Sequence, residues 1–138
     1  MNTLYTATAT ATGDGRNGHT ASDDGILDVD VRVPQSMGGP GGATNPEQLF
    51  AAGYAACFHS AMKFVAAADK IDVTGTEVSA SVSIGMLPAG GFGLAVELDV
   101  HAPSLDHAAA LALVEKAHQV CPYSNATRGN IEVKLSVV

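Results

Sequence analysis

Basic side chains are scarce in this chain. Three arginines (Arg16, Arg32 and Arg128) and four lysines face fourteen acidic residues, for a formal net charge of -7. They form no basic run, which argues against a nucleic-acid or anionic-membrane surface. Met1 to Thr12 lacks a basic segment followed by an apolar one, so no secretory signal is read and the expected compartment is the cytoplasm. No uninterrupted apolar run approaches the roughly 20 residues of a membrane span. Only two cysteines occur, Cys57 and Cys121. In a reducing compartment such a pair is read as reduced, buried or catalytic rather than as a permanent staple. The glycine-rich stretch Gly38-Gly39-Pro40-Gly41-Gly42 lacks the lysine-serine/threonine ending of a phosphate loop and the glycine spacing of a dinucleotide fold. It is read as a shaped loop between two patterned elements.

The length fits one domain, residues 1–138. At 46% hydrophobic, a chain this short has apolar surface to spend on a partner subunit, which is compatible with dimerisation without establishing it. Leu4 to Thr12 reads as an edge or N-terminal strand. Gly13-Asp14-Gly15-Arg16-Asn17-Gly18 reads as a turn. In Ile26 to Val33, Leu27, Val29, Val31 and Val33 share a face, giving a strand expected to pair with the first. A helix is expected from Asn45 to about Asp69, capped by Asn45, with Pro46 at its first position and Gln48 at the capping-box position. Alanines make it slim, and Gly53 marks a bend or a close approach. Val78–Ile84 and Phe92–Val100 alternate as a hairpin across Leu87–Gly91. A second helix is expected from about Leu105, with Ser104 as cap and Asp106 in its first turn, to Val120. Pro122 ends or redirects it. Asn130–Val137 is a final strand. Alternating, half-buried strands with two main helices predict an α+β fold with a mostly antiparallel sheet.

The cysteines stand 64 positions apart, unlike a thioredoxin pair, and that spacing says nothing about distance in space. Core filling and redox reactivity are both open for Cys57. A peroxidase uses two thiols economically: a thiolate attacks peroxide, becomes a sulfenic acid and condenses with a second thiol. That chemistry calls for a lowered thiol pKa and a nearby cation. Cys57 lies too far along its helix for the helix dipole alone. Arg16, in its glycine loop, is the favoured cation, Arg128 the second candidate, and Arg32 is expected to be solvated. Glu47 suits either the positive end of the helix or the anchoring of an arginine. It lies ten residues before Cys57, about 15 Å along a straight helix. His118 and Cys121 share a helix face, but two ligands make no zinc site, so neither metal nor cofactor is expected. His59 falls on another face than Cys57, and His101 and His107 belong at the surface. Tyr54 and Tyr123 suit either a pocket wall or the core.

Two segments carry a resemblance. Asn45-Pro46-Glu47-Gln48-Leu49-Phe50-Ala51-Ala52-Gly53-Tyr54 leading to Cys57, and His118-Gln119-Val120-Cys121-Pro122-Tyr123-Ser124-Asn125-Ala126-Thr127-Arg128-Gly129-Asn130, closely resemble the organic hydroperoxide resistance (Ohr) proteins of the OsmC/Ohr family. The likeness runs from Leu4 to Val137. It implies an OsmC-like fold in an interwoven homodimer, with active sites at the subunit interface. It also implies Cys57 as the peroxidatic cysteine, Cys121 as the resolving one, Arg16 as activator and Glu47 as its partner. Substrates would be organic hydroperoxides, and the reductant a lipoylated protein or dihydrolipoamide. Family members often carry Gly-Gly-Arg-Asp-Gly-Arg where this chain has Gly13-Asp14-Gly15-Arg16-Asn17-Gly18-His19. The loop is one residue longer before Arg16, and His19 replaces the second arginine. Two other readings remain at this point: a dimeric module binding a hydrophobic ligand, and a redox-sensing interaction protein.

Overall fold

A computed structural model describes Met1–Val138 throughout. The chain forms two compact units, Met1–Leu49 and Phe50–Val138.

The first unit holds three short antiparallel strands, β1 (Ala9–Thr12), β2 (His19–Ser22) and β3 (Asp28–Asp30), in the order β1-β2-β3. Thr12 pairs with His19, and His19 with Asp30. Two expectations are corrected. The first strand is shorter than Leu4–Thr12, and it pairs with His19–Ser22 rather than with the Ile26 segment. β2 reads His-Thr-Ala-Ser and carries no apolar alternation, so its pattern is silent. β3 ends early because Val31 leaves the sheet for a parallel bridge to Thr44, where the Arg32 N–H donates to the Thr44 carbonyl at 2.9 Å. Gly13 and Gly15, with φ of 77° and 54°, turn the chain between β1 and β2. Gly18 permits the closest approach there: a Cβ would sit 2.2 Å from the Thr12 carbonyl oxygen.

Helix α1 spans Pro46–Asp69. Asn45 caps it, its Oδ1 accepting the Gln48 N–H at 2.9 Å, and Pro46 fills the first position, where its missing N–H costs nothing. Gln48 does not return a capping-box bond to Asn45; its Oε1 accepts instead from the Thr44 hydroxyl at 2.8 Å. By length and composition α1 is long and apolar enough to cross a membrane, a test that a core helix also passes. Its alanines raise the mean hydropathy across a stretch that Lys63 interrupts.

In the second unit α1 buries Tyr54, Phe58, Ala61, Met62 and Ala66, a stripe at helical spacing. The stripe packs with Val96, Leu98 and Val100 and with Leu113, Val114 and Ala117. Burying each large side chain is worth about 1.5–3 kcal/mol. Strands β4 (Glu77–Met86) and β5 (Phe92–His101) form the expected hairpin, with Val82 opposite Val96. Strand β6 (Val133–Val137) lies parallel to β5 after a helical crossover. Three of the four strand pairings are antiparallel, so the fold is α+β with mostly antiparallel sheets. Helix α2 spans His107–Val120 and begins two residues later than expected. Asp106 is its cap, accepting the Ala109 N–H at 2.8 Å. Ser104 instead donates to the Thr74 carbonyl at 2.7 Å. Helix α3 (Pro122–Thr127) follows at once.

Candidate active site: a thiol pair and an arginine–glutamate pair

Cys121 occupies the break between α2 and α3. Its backbone is extended (φ -63°, ψ 123°), so it ends one helix and caps the next, with Pro122 opening α3. Its N–H still reaches the Ala117 carbonyl, and its carbonyl accepts the Asn125 N–H, both at 2.9 Å. Within the Phe50–Val138 unit the two cysteines meet. The Cys121 thiol donates to the Cys57 sulfur across 3.7 Å. Both are free, Cys121 fully buried and Cys57 half-buried. A disulfide of about 2.05 Å requires them to close by roughly 1.7 Å.

The setting raises the Cys57 pKa, contrary to the lowered value expected of a reactive thiol. Burial is the largest cause and the neighbouring Cys121 adds to it, while the Tyr123 backbone N–H opposes both. At rest this setting favours the neutral form of the Cys57 thiol.

A buried polar network fixes the corner that carries Cys121. Tyr54 is fully buried, and its hydroxyl lies 2.9 Å from Ser124 Oγ and 3.0 Å from Thr127 Oγ1. Ser124 Oγ also meets His118 Nδ1 at 2.8 Å. These bonds tie α3 to α1 and α2. Tyr54 is therefore anchored in the core. Tyr123 is 38% exposed, and its ring lies over Gly53, where a Cβ would come within 2.9 Å of the Tyr123 hydroxyl. Gly53 thus marks a close approach within an unbroken helix. Phe50 lies edge-on to both tyrosines. Arg128, the second candidate cation, is engaged at this corner, donating to Asn125 Oδ1 at 2.9 Å and to the His118 carbonyl. His118 therefore joins a hydroxyl network, and no group of three or more His, Cys, Asp or Glu gathers to hold a metal. His59 meets Thr76 Oγ1 at 3.0 Å.

Within the Met1–Leu49 unit, Arg16 sits in a 3-10 turn (Gly15–Asn17) between β1 and β2. Its two terminal nitrogens donate to the two Glu47 oxygens at 2.8 and 2.7 Å, a bidentate fork. The Arg16 side chain is 40% exposed and that of Glu47 13%. The arginine holds the Glu47 carboxyl below the usual carboxylate range. Arg32, expected to be solvated, is half-buried and straps the same loop: its Nη1 donates to the carbonyls of Asn17, Gly18 and Val31. Asn17 Oδ1 accepts the Val33 N–H at 3.0 Å. Sequence reading did not single out Asn17, Ser124 or Thr127. The glycine turn and the long second motif enclosed them, but no local pattern separates a hydroxyl that binds inward from one that is solvated.

The sequence and the fold have close relatives. A family model described as OsmC-like protein matches residues 39–136. The chain is 59% identical over 136 residues to the organic hydroperoxide resistance protein of Xanthomonas axonopodis pv. citri, covering 97% of this chain and 94% of that one. The chain belongs to the OsmC/Ohr family, in its organic hydroperoxide resistance subgroup. It is also 48% identical to the Bacillus subtilis organic hydroperoxide resistance protein OhrB, over 97% of this chain and 98% of that one. The crystal structure of a Legionella pneumophila organic hydroperoxide resistance protein superposes with a TM-score of 0.94 at 54% identity, covering 99% of this chain and 98% of the other. Family membership and two facing thiols together support a cysteine-based redox enzyme with a thiol peroxidase mechanism.

Proposed function

We propose that the chain reduces organic hydroperoxides to alcohols in oxidative stress defence, with Cys57 as the attacking thiol and Cys121 as the resolving one. The observation that carries this reading is the 3.7 Å approach of the two sulfurs, one half-buried and one fully buried. The Cys57 thiolate attacks one peroxide oxygen, the O–O bond breaks, and the alkoxide leaves and takes a proton. Cys57 is then a sulfenic acid. The Cys121 thiol condenses with it, releasing water and forming the disulfide. A lipoyl dithiol, on a lipoylated protein or as dihydrolipoamide, restores both thiols by exchange and becomes a disulfide itself.

In this reading Arg16 stabilises the Cys57 thiolate and the charge that develops on the departing oxygen, and Glu47 orients Arg16. That stabilisation has to be greater in the transition state than at rest. A resting Cys57 whose pKa is raised fits such a division of labour, because the activating charge then belongs to the reacting complex. The reading treats residues 1–138 as one functional domain, working in the cytoplasm as a homodimer. Exposed Leu4, Ile26, Phe64, Phe92 and Val120 are the apolar surface that supports pairing.

The test is organic hydroperoxide consumption with dihydrolipoamide, comparing the wild type with Cys57→Ser and Cys121→Ser. The reading expects no reduction in Cys57→Ser and a sulfenic acid without turnover in Cys121→Ser. Full turnover in Cys57→Ser rejects the assigned roles.

A further inference from the structure

His19 stands where the arginine loop rejoins the sheet, and both its ring nitrogens face carboxylates of β3. Nε2 lies 2.6 Å from Asp28 Oδ1, and Nδ1 lies 2.9 Å from Asp30 Oδ1. A neutral imidazole has one N–H and one lone pair, so it can satisfy only one of these oxygens and turns a lone pair on the other. Only the imidazolium donates to both.

We propose that His19 is a positioning residue for Arg16, a proton-operated latch that closes the Gly13–Gly18 loop onto β3 when its ring is charged. The proposal rests on the reading that Arg16 serves the peroxidase reaction.

The loop has two kinds of restraint. One kind is a set of hydrogen bonds to the loop's own backbone and to the segment that follows β3. Arg32 grips the Asn17 and Gly18 carbonyls at 3.2 and 2.9 Å, Asn17 holds Val33, and the Asn17 and Gly18 N–H groups close onto Asp14 and Gly15. The other kind is His19. It follows Gly18 directly and pairs in register with Thr12 on one side and Asp30 on the other, so it sits at the closing pair of the loop. β3 presents Asp28 and Asp30 to it, with Arg32 acting on Asp30. β1, Ala-Thr-Ala-Thr, presents nothing titratable. The two carboxylates raise the His19 pKa, the Asp30 hydrogen bond being the largest cause. The direction follows. The latch is fully closed below the ordinary histidine value of about 6.5 and opens as pH rises through the raised one.

Hydrogen exchange of the Asn17 and Gly18 amides, as protection factors from acid to mildly alkaline pH, tests the latch without relying on activity. In the wild type, protection should fall by roughly two- to fivefold through the His19 titration, the scale of exposed ion pairs. His19→Arg should keep it high and flat; His19→Gln should leave it low and flat. The kcat/KM for hydroperoxide, taken as the ratio of wild type to His19→Arg at each pH so that the shared Cys57 titration cancels, should fall through the same range. Asp30→Asn should flatten the profile and, with β3 still paired, shows that the effect comes from charge. A wild-type profile unchanged in His19→Gln overturns the latch. Loop protection that follows His19 while the activity ratio stays flat overturns its positioning role. Failure of the peroxidase reading itself shows separately, as turnover retained in Cys57→Ser, and leaves the exchange result standing.

Discussion

Cys57 and Cys121 stand in a unit whose core joins α1, α2 and a three-stranded sheet with two ten-residue strands. Arg16 and Glu47 stand in a unit whose strands have four, four and three residues and whose only buried hydrophobic residue is Val31. The thiol pair sits against packed core side chains, and buried hydroxyls fix the corner that carries Cys121. The arginine is held by a half-exposed fork and by backbone carbonyls of its own loop. Covalent chemistry needs two sulfurs brought within a small closing distance, and a dense core supplies that. In the proposed cycle the arginine acts at one stage only, from a loop on a unit with a single buried hydrophobic residue.

The hardest break of this contrast is at the thiols. Cys57→Ser should abolish hydroperoxide reduction, and Cys121→Ser should stop catalytic cycling with the dithiol while still forming alcohol once per subunit; alcohol yield and dithiol consumption measure these separately. Next comes the arginine. Arg16→Lys loses the bidentate fork and should lower kcat/KM by roughly 10²-fold, the scale of removing one preorganised donor. Oxidation of the thiol pair by a small neutral disulfide reagent, which draws on the thiolate but develops no charge on a departing oxygen, should fall much less. An equal loss in both assays would erase the distinction between the two regions. Tyr54→Phe attacks the core scaffold instead. Removing the hydroxyl shared by Ser124 and Thr127 should cost about 1–2 kcal/mol in denaturant unfolding, and should slow disulfide closure more than sulfenic acid formation. The smallest effect belongs to the Arg16–Glu47 pair itself. Because the folded Glu47 pKa is lowered, its stabilisation is present above the ordinary value of about 4.3 and is lost as pH falls through the lowered one. With a half-exposed partner, screening keeps it below about 1 kcal/mol. Unfolding curves of wild type and Glu47→Gln should converge in acid.

The second unit was largely legible in the sequence, because β4, β5, β6 and α1 carry long apolar periodicities. Asn45 and Pro46 also mark the start of α1 by well-understood capping. The first unit was not. β2 consists of His, Thr, Ala and Ser and is held by pairing rather than by an apolar face, so nothing in its pattern separates it from a loop. Arg32 looked solvated because it alternates with Val31 and Val33. Strand alternation says which side a residue leaves from, but not that a long side chain can turn back onto the carbonyls of Asn17 and Gly18. Ser104 and Asp106 were both suited to cap α2. The choice fell to Asp106 because the Thr74 carbonyl, thirty residues away in sequence, takes the Ser104 hydroxyl. Cys57, Cys121, Arg16 and Glu47 were candidates from their motifs, and the structure brings the two thiols together and, separately, Arg16 to Glu47. The rise in the Cys57 pKa was not legible, because burial by the tertiary fold sets it.

The most direct test of the central claim is mass analysis of the wild type and Cys121→Ser after one equivalent of an organic hydroperoxide. The account predicts that the wild type loses two hydrogens, with peptides containing Cys57 and Cys121 joined. Cys121→Ser should gain one oxygen on the peptide containing Cys57. Two intact thiols in the wild type, or oxygen gained first on Cys121, would contradict it.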